Sequence, residues 1–198
     1  VEPGDRVAIW APNGHRWIEA ALGAQSVGAT LVPVNTRWKG GEAAYVLAAS
    51  GARLLVTDPD FLGTDTVAML DRDATPLPRL AAIITLAGAT EAPTRGVPVT
   101  PWDAFLAAGD AVEPDAVTAR LAALSPDHIS DCLFTSGTTG APKGVLMSHG
   151  QTVRQFTEWC DFAGLEPGDR YLIVNPFFHM FGYKAGWVAT LVRGATAY

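Results

Sequence analysis

Residues 135–144 read Thr135-Ser136-Gly137-Thr138-Thr139-Gly140-Ala141-Pro142-Lys143-Gly144. Four hydroxyl side chains, three glycines and one lysine fall within ten positions, between apolar runs at residues 132–135 and 145–147 that read as strands. Glycine allows positive φ and close approach, so successive backbone N–H groups can turn into a concavity that receives anions. The hydroxyls of Thr135, Ser136, Thr138 and Thr139 add donors, and Lys143 adds a mobile positive charge. The stretch therefore reads as a cradle for a polyphosphate, formed by Thr135, Ser136, Gly137, Thr138, Thr139, Gly140 and Lys143. It is not the loop of P-loop NTPases, because Lys143 precedes Gly144 instead of following a glycine. A Ser/Gly linker explains neither the flanking strands nor the single lysine.

Upstream of the loop, short apolar strands alternate with helical patterns. A strand at residues 6–10 is followed by a helix over 16–27, for which Asn13 is the expected N-cap. A strand at 30–34, a helix over 41–50 closed by Gly51, and a strand at 53–57 come next. A helix near 60–70, a strand at 81–86 and a short helix near 102–107 follow, and residues 87–101 read as a surface connection. This alternation predicts an α/β fold, a parallel sheet with helices packed on it. Downstream, a helix beginning at His149 and Gly150 is expected to bury Val153, Phe156, Cys160 and Ala163 and to end at Gly164.

Glu166-Pro167-Gly168-Asp169-Arg170 then repeats Glu2-Pro3-Gly4-Asp5-Arg6, and each copy leads into apolar sequence. Either this is one good turn used twice, or the chain holds a first lobe at 1–163 and the start of a similar lobe at 164–198. In the second case a strand at 171–174 and the apolar side of a helix over 182–191 would lack covering layers. Such open faces would favour self-association.

The second candidate constellation is Asn175-Pro176-Phe177-Phe178-His179-Met180-Phe181-Gly182, where His179 sits among aromatic residues. Its bland reading is a core turn with a satisfied histidine. Lys184 reads as a solvated lysine, with contact to a substrate acid as the less favoured alternative. Asp127 and Asp131 read as turn and capping residues, and His15, His128 and His149 as capping or surface residues.

The chain has 198 residues, 48% of them hydrophobic, enough for a sizeable core. A net charge of −6 argues against a nucleic-acid surface. No apolar run approaches the roughly 20 residues of a membrane span. Two cysteines, Cys132 and Cys160, lack metal spacing and imply no disulfide framework, which makes the cytoplasm the expected compartment. The start at Val1 suggests a piece of a longer protein.

The stretch TSGTTGAPKG resembles the phosphate-binding signature of the adenylate-forming superfamily: acyl-CoA synthetases, aryl-CoA ligases, luciferases and the adenylation domains of peptide synthetases. The similarity extends through PGDRVAIWAPN, GATLVPVNTRW and NPFFHMFG, along the whole chain but only the front of the family's large N-terminal domain. The resemblance implies ATP, Mg2+ and coenzyme A as co-substrates and cofactors, and a carboxylic acid as the acyl donor. It places His179 against the acid at the mouth of the acyl pocket, where it lines the substrate site. Pairing of PFFHMFG with TSGTTG tilts the expectation to CoA ligases, with luciferases and peptide-synthetase domains still open. The magnesium-binding and adenine-contacting motifs of the family fall outside these residues, so no metal ligand is assigned. NPFFHMFGYKAG is similar to ligases that activate ring-bearing propionates from sterol breakdown, with fatty and aryl acids as alternatives. A non-catalytic nucleotide- or pyrophosphate-binding module is the competing reading.

Overall fold

A computed structural model of the chain describes residues 1–88, 94–135 and 140–198. Strands β1 (Arg6–Trp10), β2 (Thr30–Pro33), β3 (Ala52–Thr57), β4 (Ala82–Thr85), β5 (Val99–Pro101), β6 (Ile129–Thr135) and β7 (Lys143–Ser148) form one sheet in the order β5-β4-β3-β1-β2-β6-β7. The neighbours are parallel except β6 and β7, which make an antiparallel hairpin. The expected α/β fold is the one adopted.

Helices α1 (His15–Ser26), α2 (Gly40–Ser50), α3 (Thr66–Asp71), α4 (Trp102–Gly109), α5 (Pro114–Ala122) and α6 (His149–Ala163) complete this part of the fold. In β1, Ala8 and Trp10 face a core shared with Ala43, Val46 and Leu47 of α2. Val7 and Ile9 face a second core with Trp17 and Ala21 of α1. A strand buried on both faces reads as a continuous apolar run, as residues 7–10 do.

Several boundaries differ from the sequence reading. Gly14 stands at the N-cap of α1, and the Asn13 side chain is engaged elsewhere. The third helix starts at Thr66 because Asp65 caps it, accepting from the Ala68 N–H at 2.8 Å. Residues 99–101, read as connection, add an edge strand, the position where a strand proline is tolerated. The buried stripe of α6 is Thr152, Phe156 and Cys160, spaced by four, with Val153 and Ala163 exposed. Its N-terminus is a capping box of Ser148 and Gln151, and Gly164 closes it in the left-handed conformation.

The repeated pentapeptide forms the same turn twice. Asp5 Oδ2 accepts from Glu2 N–H and Asp169 Oδ2 from Glu166 N–H, both at 2.8 Å. Gly4 and Gly168 adopt φ of 82° and 87°, and their N–H groups donate to Gly28 and Gly194. Each of those glycines begins a Gly-Ala-Thr triplet, which opens β2 in one copy and β9 (Thr196–Ala197) in the other. Parallel pairs Arg6 with Thr30 and Arg170 with Thr196 complete the match, the latter joining β9 to β8 (Arg170–Tyr171). Strand β8 is shorter than the expected 171–174, and Leu172 and Val174 are exposed.

Between β8 and β9 run α7 (Met180–Gly182), a helical turn kinked at Gly186 (Tyr183–Val188) and α8 (Ala189–Arg193). The apolar side of this helical stretch, expected to be open, is covered. Trp17 of α1 meets Phe177, Tyr183 and Trp187 edge-on, at centroid distances of 5.6, 5.8 and 6.0 Å. These aromatics share a core with Val7, Ile9 and Leu31, so the segment forms part of the helical layer on the large sheet.

Candidate functional site

Parallel α/β sheets bind ligands beyond the carboxyl ends of their strands, favouring the point where strand order reverses. Here the chain goes from β1 to β2 on one side and returns to β3 on the other. The crevice at that point, lined by Trp10, Thr36, Phe61 and Met69, measures only about 60 Å³. Small-molecule sites occupy roughly 300–1,000 Å³, so a nucleotide needs another carboxyl end.

Strand β6, parallel to β2, supplies it. Thr135 is the last residue of β6 and Lys143 the first of β7, and the two are paired in register. The Thr135 hydroxyl donates to the Lys143 carbonyl at 3.4 Å, and both residues are exposed, as is Gly140. From α2, the Tyr45 hydroxyl donates to the Pro142 carbonyl at 3.2 Å and ties the returning arm to the helical layer. The hairpin therefore sets Thr135 and Lys143 opposite one another where the loop leaves it. Ser136, Gly137, Thr138 and Thr139 lie outside the described residues. Under the hairpin, a cleft of about 750 Å³ is lined by Tyr45, Cys132, Phe134, Pro142 and Gly144. Its cation, Arg6, already donates to the carbonyls of Gly4, Ser50 and Gly51, so the cleft offers no free guanidinium to an anion.

His179 lies on the segment between β8 and α7. It caps α7, its Nδ1 accepting from Phe181 N–H at 3.3 Å, so the neutral ring carries its proton on Nε2. The imidazole is exposed and stacks on Phe181 with 12° between planes. Phe181 in turn meets Trp159 of α6 edge-on at 6.1 Å. His179 is thus a polar tip on an aromatic wall.

Asn13, just past the end of β1, fixes this segment. Its side-chain amide donates to Asn175 O at 2.9 Å, and its carbonyl accepts from Phe177 N–H at 2.7 Å. β1 and β6 both run parallel to β2, so Asn13 and the phosphate-loop hairpin project from the same edge of the sheet. Gly182 lets α7 close onto this stretch: a Cβ there would stand 2.2 Å from Pro176 O and 2.4 Å from Asn175 O.

Lys184 and Asp131 correct the sequence reading most. Neither is at the surface; both are fully buried and form an ion pair. Asp131 Oδ2 also accepts from Ser130 Oγ at 2.6 Å, and Lys184 Nζ donates to Thr152 Oγ1 at 2.7 Å. Tyr183 OH reaches Asp131 Oδ2 at 3.4 Å and accepts from Gln25 Nε2 at 2.7 Å. Burial pushes the Tyr183 phenol well above its usual range, with the Asp131 charge adding to it. Burial lowers the Lys184 ammonium, and Asp131 pulls it back up. A lone carboxylate within the apolar strand ISDCLFT was a usable signal, since a buried charge requires a partner. His149 is half-buried, not on the surface, and burial lowers its pKa.

Among the described residues, no group of three or more His, Cys, Asp or Glu side chains could hold a metal ion, and no helix is long and apolar enough to cross a membrane.

Known proteins match this arrangement along its full length. The family described as AMP-binding enzyme matches residues 1–198. A 3-(7a-methyl-1,5-dioxo-octahydro-1H-inden-4-yl)propanoyl:CoA ligase of Rhodococcus jostii (strain RHA1) is 46% identical over 198 residues, which is 99% of this chain and 38% of that protein. Its namesake in Mycobacterium tuberculosis (strain ATCC 25618 / H37Rv) is 46% identical over 196 residues, 99% of this chain and 37% of that protein. The acetoacetyl-CoA synthetase structure from Streptomyces lividans superposes with a TM-score of 0.78 at 25% identity, covering 100% of this chain and 30% of that one. The chain thus spans a little over a third of the length of the curated relatives it matches. It belongs to the AMP-binding enzyme family.

Proposed function

We propose that the chain is the front part of an AMP-forming acid–CoA ligase acting in the cytoplasm. In the first step a carboxylate oxygen attacks the α-phosphorus of ATP, the bond to the bridging oxygen breaks, and pyrophosphate leaves. In the second the thiol of coenzyme A attacks the acyl-adenylate carbonyl, its proton is lost, and AMP leaves. Charge must be held as pyrophosphate departs, and preorganised donors do this at least cost. The observation that carries the reading is the register pair of Thr135 and Lys143 at the carboxyl end of β6, which sets a hydroxyl and an ammonium at the mouth of the loop. Gly140 and residues 136–139 complete the cradle in this reading. Mg2+, which neutralises phosphate charge in such reactions, would reach the site with ATP and through ligands other than these residues.

His179 is assigned to the acid. With Nδ1 occupied by Phe181 N–H, its Nε2–H is free to donate to a carboxylate oxygen. General-base work is not needed, since carboxylic acids are ionised at neutral pH. A ring-bearing propionate is the favoured acid. It is supported by the two relatives at 46% identity and by the apolar wall of Phe181 and Trp159. Residues 1–163 are read as a first lobe and 164–198 as the start of a second, supported by the two equivalent turns.

A pyrophosphate-release assay on the full-length protein with alicyclic, aryl and fatty acids tests the reading. Release that depends on the acid and is fastest with alicyclic propionates is expected. Nucleotide binding without release for any acid would leave a binding module.

A further inference from the structure

The buried Lys184–Asp131 pair ties together the two stretches that carry the proposed chemistry. Asp131 lies in β6 four residues before Thr135, where the phosphate loop begins. Lys184 lies five residues after His179, in the kinked turn (Tyr183–Val188) that follows α7. Two local irregularities bring them together. The β6–β7 register shifts between Ile129 and Asp131, and both Ser130 and Asp131 are buried. The helical turn Tyr183–Val188 is kinked at Gly186, whose φ and ψ of −91° and −107° are not helical, and it buries Tyr183, Lys184 and Ala185 in succession, which an ordinary helix on a sheet does not do. Bulges and helix kinks are sites where a fold re-aims side chains, and here both serve the same contact.

Stability does not account for this arrangement. Replacing a buried ion pair by apolar residues of the same volume is often neutral or stabilising in proteins, because burying two charges costs about what their attraction returns. The other oxygen of Asp131 has no partner among the described residues, which raises that cost. A buried ion pair does fix register, since a one-residue slip of β6 would carry Asp131 to the opposite face and leave Lys184 unpaired. The contacts extend the grip to both neighbouring helices, α6 and α1. Thr152 of α6 binds Lys184, Gln25 of α1 binds Tyr183, and Gln25 also donates to Ser130 O at 3.1 Å.

We propose that Lys184 and Asp131 are positioning residues that lock the strand entering the phosphate loop to the segment carrying His179, and so hold ATP and the acid at the separation needed for attack. This rests on the ligase reading above. Neither residue is proposed to touch a substrate.

The test uses the full-length protein and the neutral pairs Lys184→Met/Asp131→Asn and Lys184→Gln/Asp131→Asn, which remove both charges together. Melting temperature, acid-dependent ATP–pyrophosphate exchange and nucleotide binding are measured for each. The expected result is a folded protein that melts near the wild type and binds ATP, with exchange at saturating substrates slowed about ten- to a hundredfold, the scale of a misplacement near 1 Å. Wild-type exchange in a folded neutral pair would overturn the proposal while leaving the ligase reading intact. Failure of both pairs to fold would assign the ion pair to the fold and overturn it as well. Absence of exchange in the wild type would instead sink the ligase reading and, with it, this proposal.

Discussion

The Asn13 side chain holds the backbone on both sides of Pro176, accepting from Phe177 N–H at 2.7 Å and donating to Asn175 O at 2.9 Å. A residue at the end of the first strand therefore sets the course of a segment more than 160 positions later. Truncation in Asn13→Ala removes one exposed and one part-buried hydrogen bond, each contributing about 0.5–1.5 kcal/mol. The expected outcome is a raised KM for the acid, with the KM for ATP within about twofold of wild type. Equal increases for both substrates would show that the clamp serves the whole site.

Gly182 and Gly23 should respond in opposite directions to the same change. A Cβ at Gly182 would enter the Asn175 and Pro176 carbonyls, whereas Gly23 in α1 has nothing within 4 Å of the added carbon. Gly182→Ala should destabilise by about 1–3 kcal/mol or more through overpacking against backbone. Gly23→Ala should stabilise by about 0.5–1 kcal/mol. Denaturant midpoints of the two variants check both signs.

Trp17 joins the aromatic residues of the 177–187 stretch to the large sheet, and it is fully buried. Trp17→Ala should cost about 3–5 kcal/mol. Hydrogen exchange should rise at residues 177–193 more than in α2 and α3, because the buried residues of those helices belong to the other core, which Trp17 does not join.

His149 gives a pH dependence with a defined sign. Burial lowers its pKa from the ordinary 6.5, opposed by Asp131 and reinforced by Lys184 and His128. The folded protein thus binds the proton less readily than the unfolded chain. The neutral imidazole's contribution is present above pH 6.5 and lost as pH falls through the lowered value. His149→Gln should flatten the decline in melting temperature on acidification between pH 6.5 and the lowered value. An unchanged decline would place the acid sensitivity elsewhere.

The sheet, the strands on either side of the Gly- and hydroxyl-rich loop and the close of α6 at Gly164 were legible because each has a local cause: apolar runs buried on both faces, strand-like sequence bounding a glycine cluster, a glycine free to turn left-handed. The repeated Glu-Pro-Gly-Asp-Arg was legible as well, but the Gly-Ala-Thr triplets that pair with it were overlooked, being short and separated from it by a whole helix. Lys184 and Asp131 were misplaced because residue type sends charges to the surface, and only the partner 53 positions away reverses that preference. Asn13 was assigned to the nearest helix for the same reason. Its actual partners lie beyond the reach of local pattern. β5 escaped notice because three residues with a terminal proline carry no alternation to read.

The most direct measurement is ATP–pyrophosphate exchange by the full-length protein, wild type against Lys143→Ala, at saturating acid. A charge-assisted hydrogen bond contributes roughly 1.5–3 kcal/mol, so the account predicts acid-dependent exchange that falls about ten- to a hundredfold in a variant that still folds. Exchange by Lys143→Ala equal to wild type, or no exchange with any acid despite bound nucleotide, would contradict it.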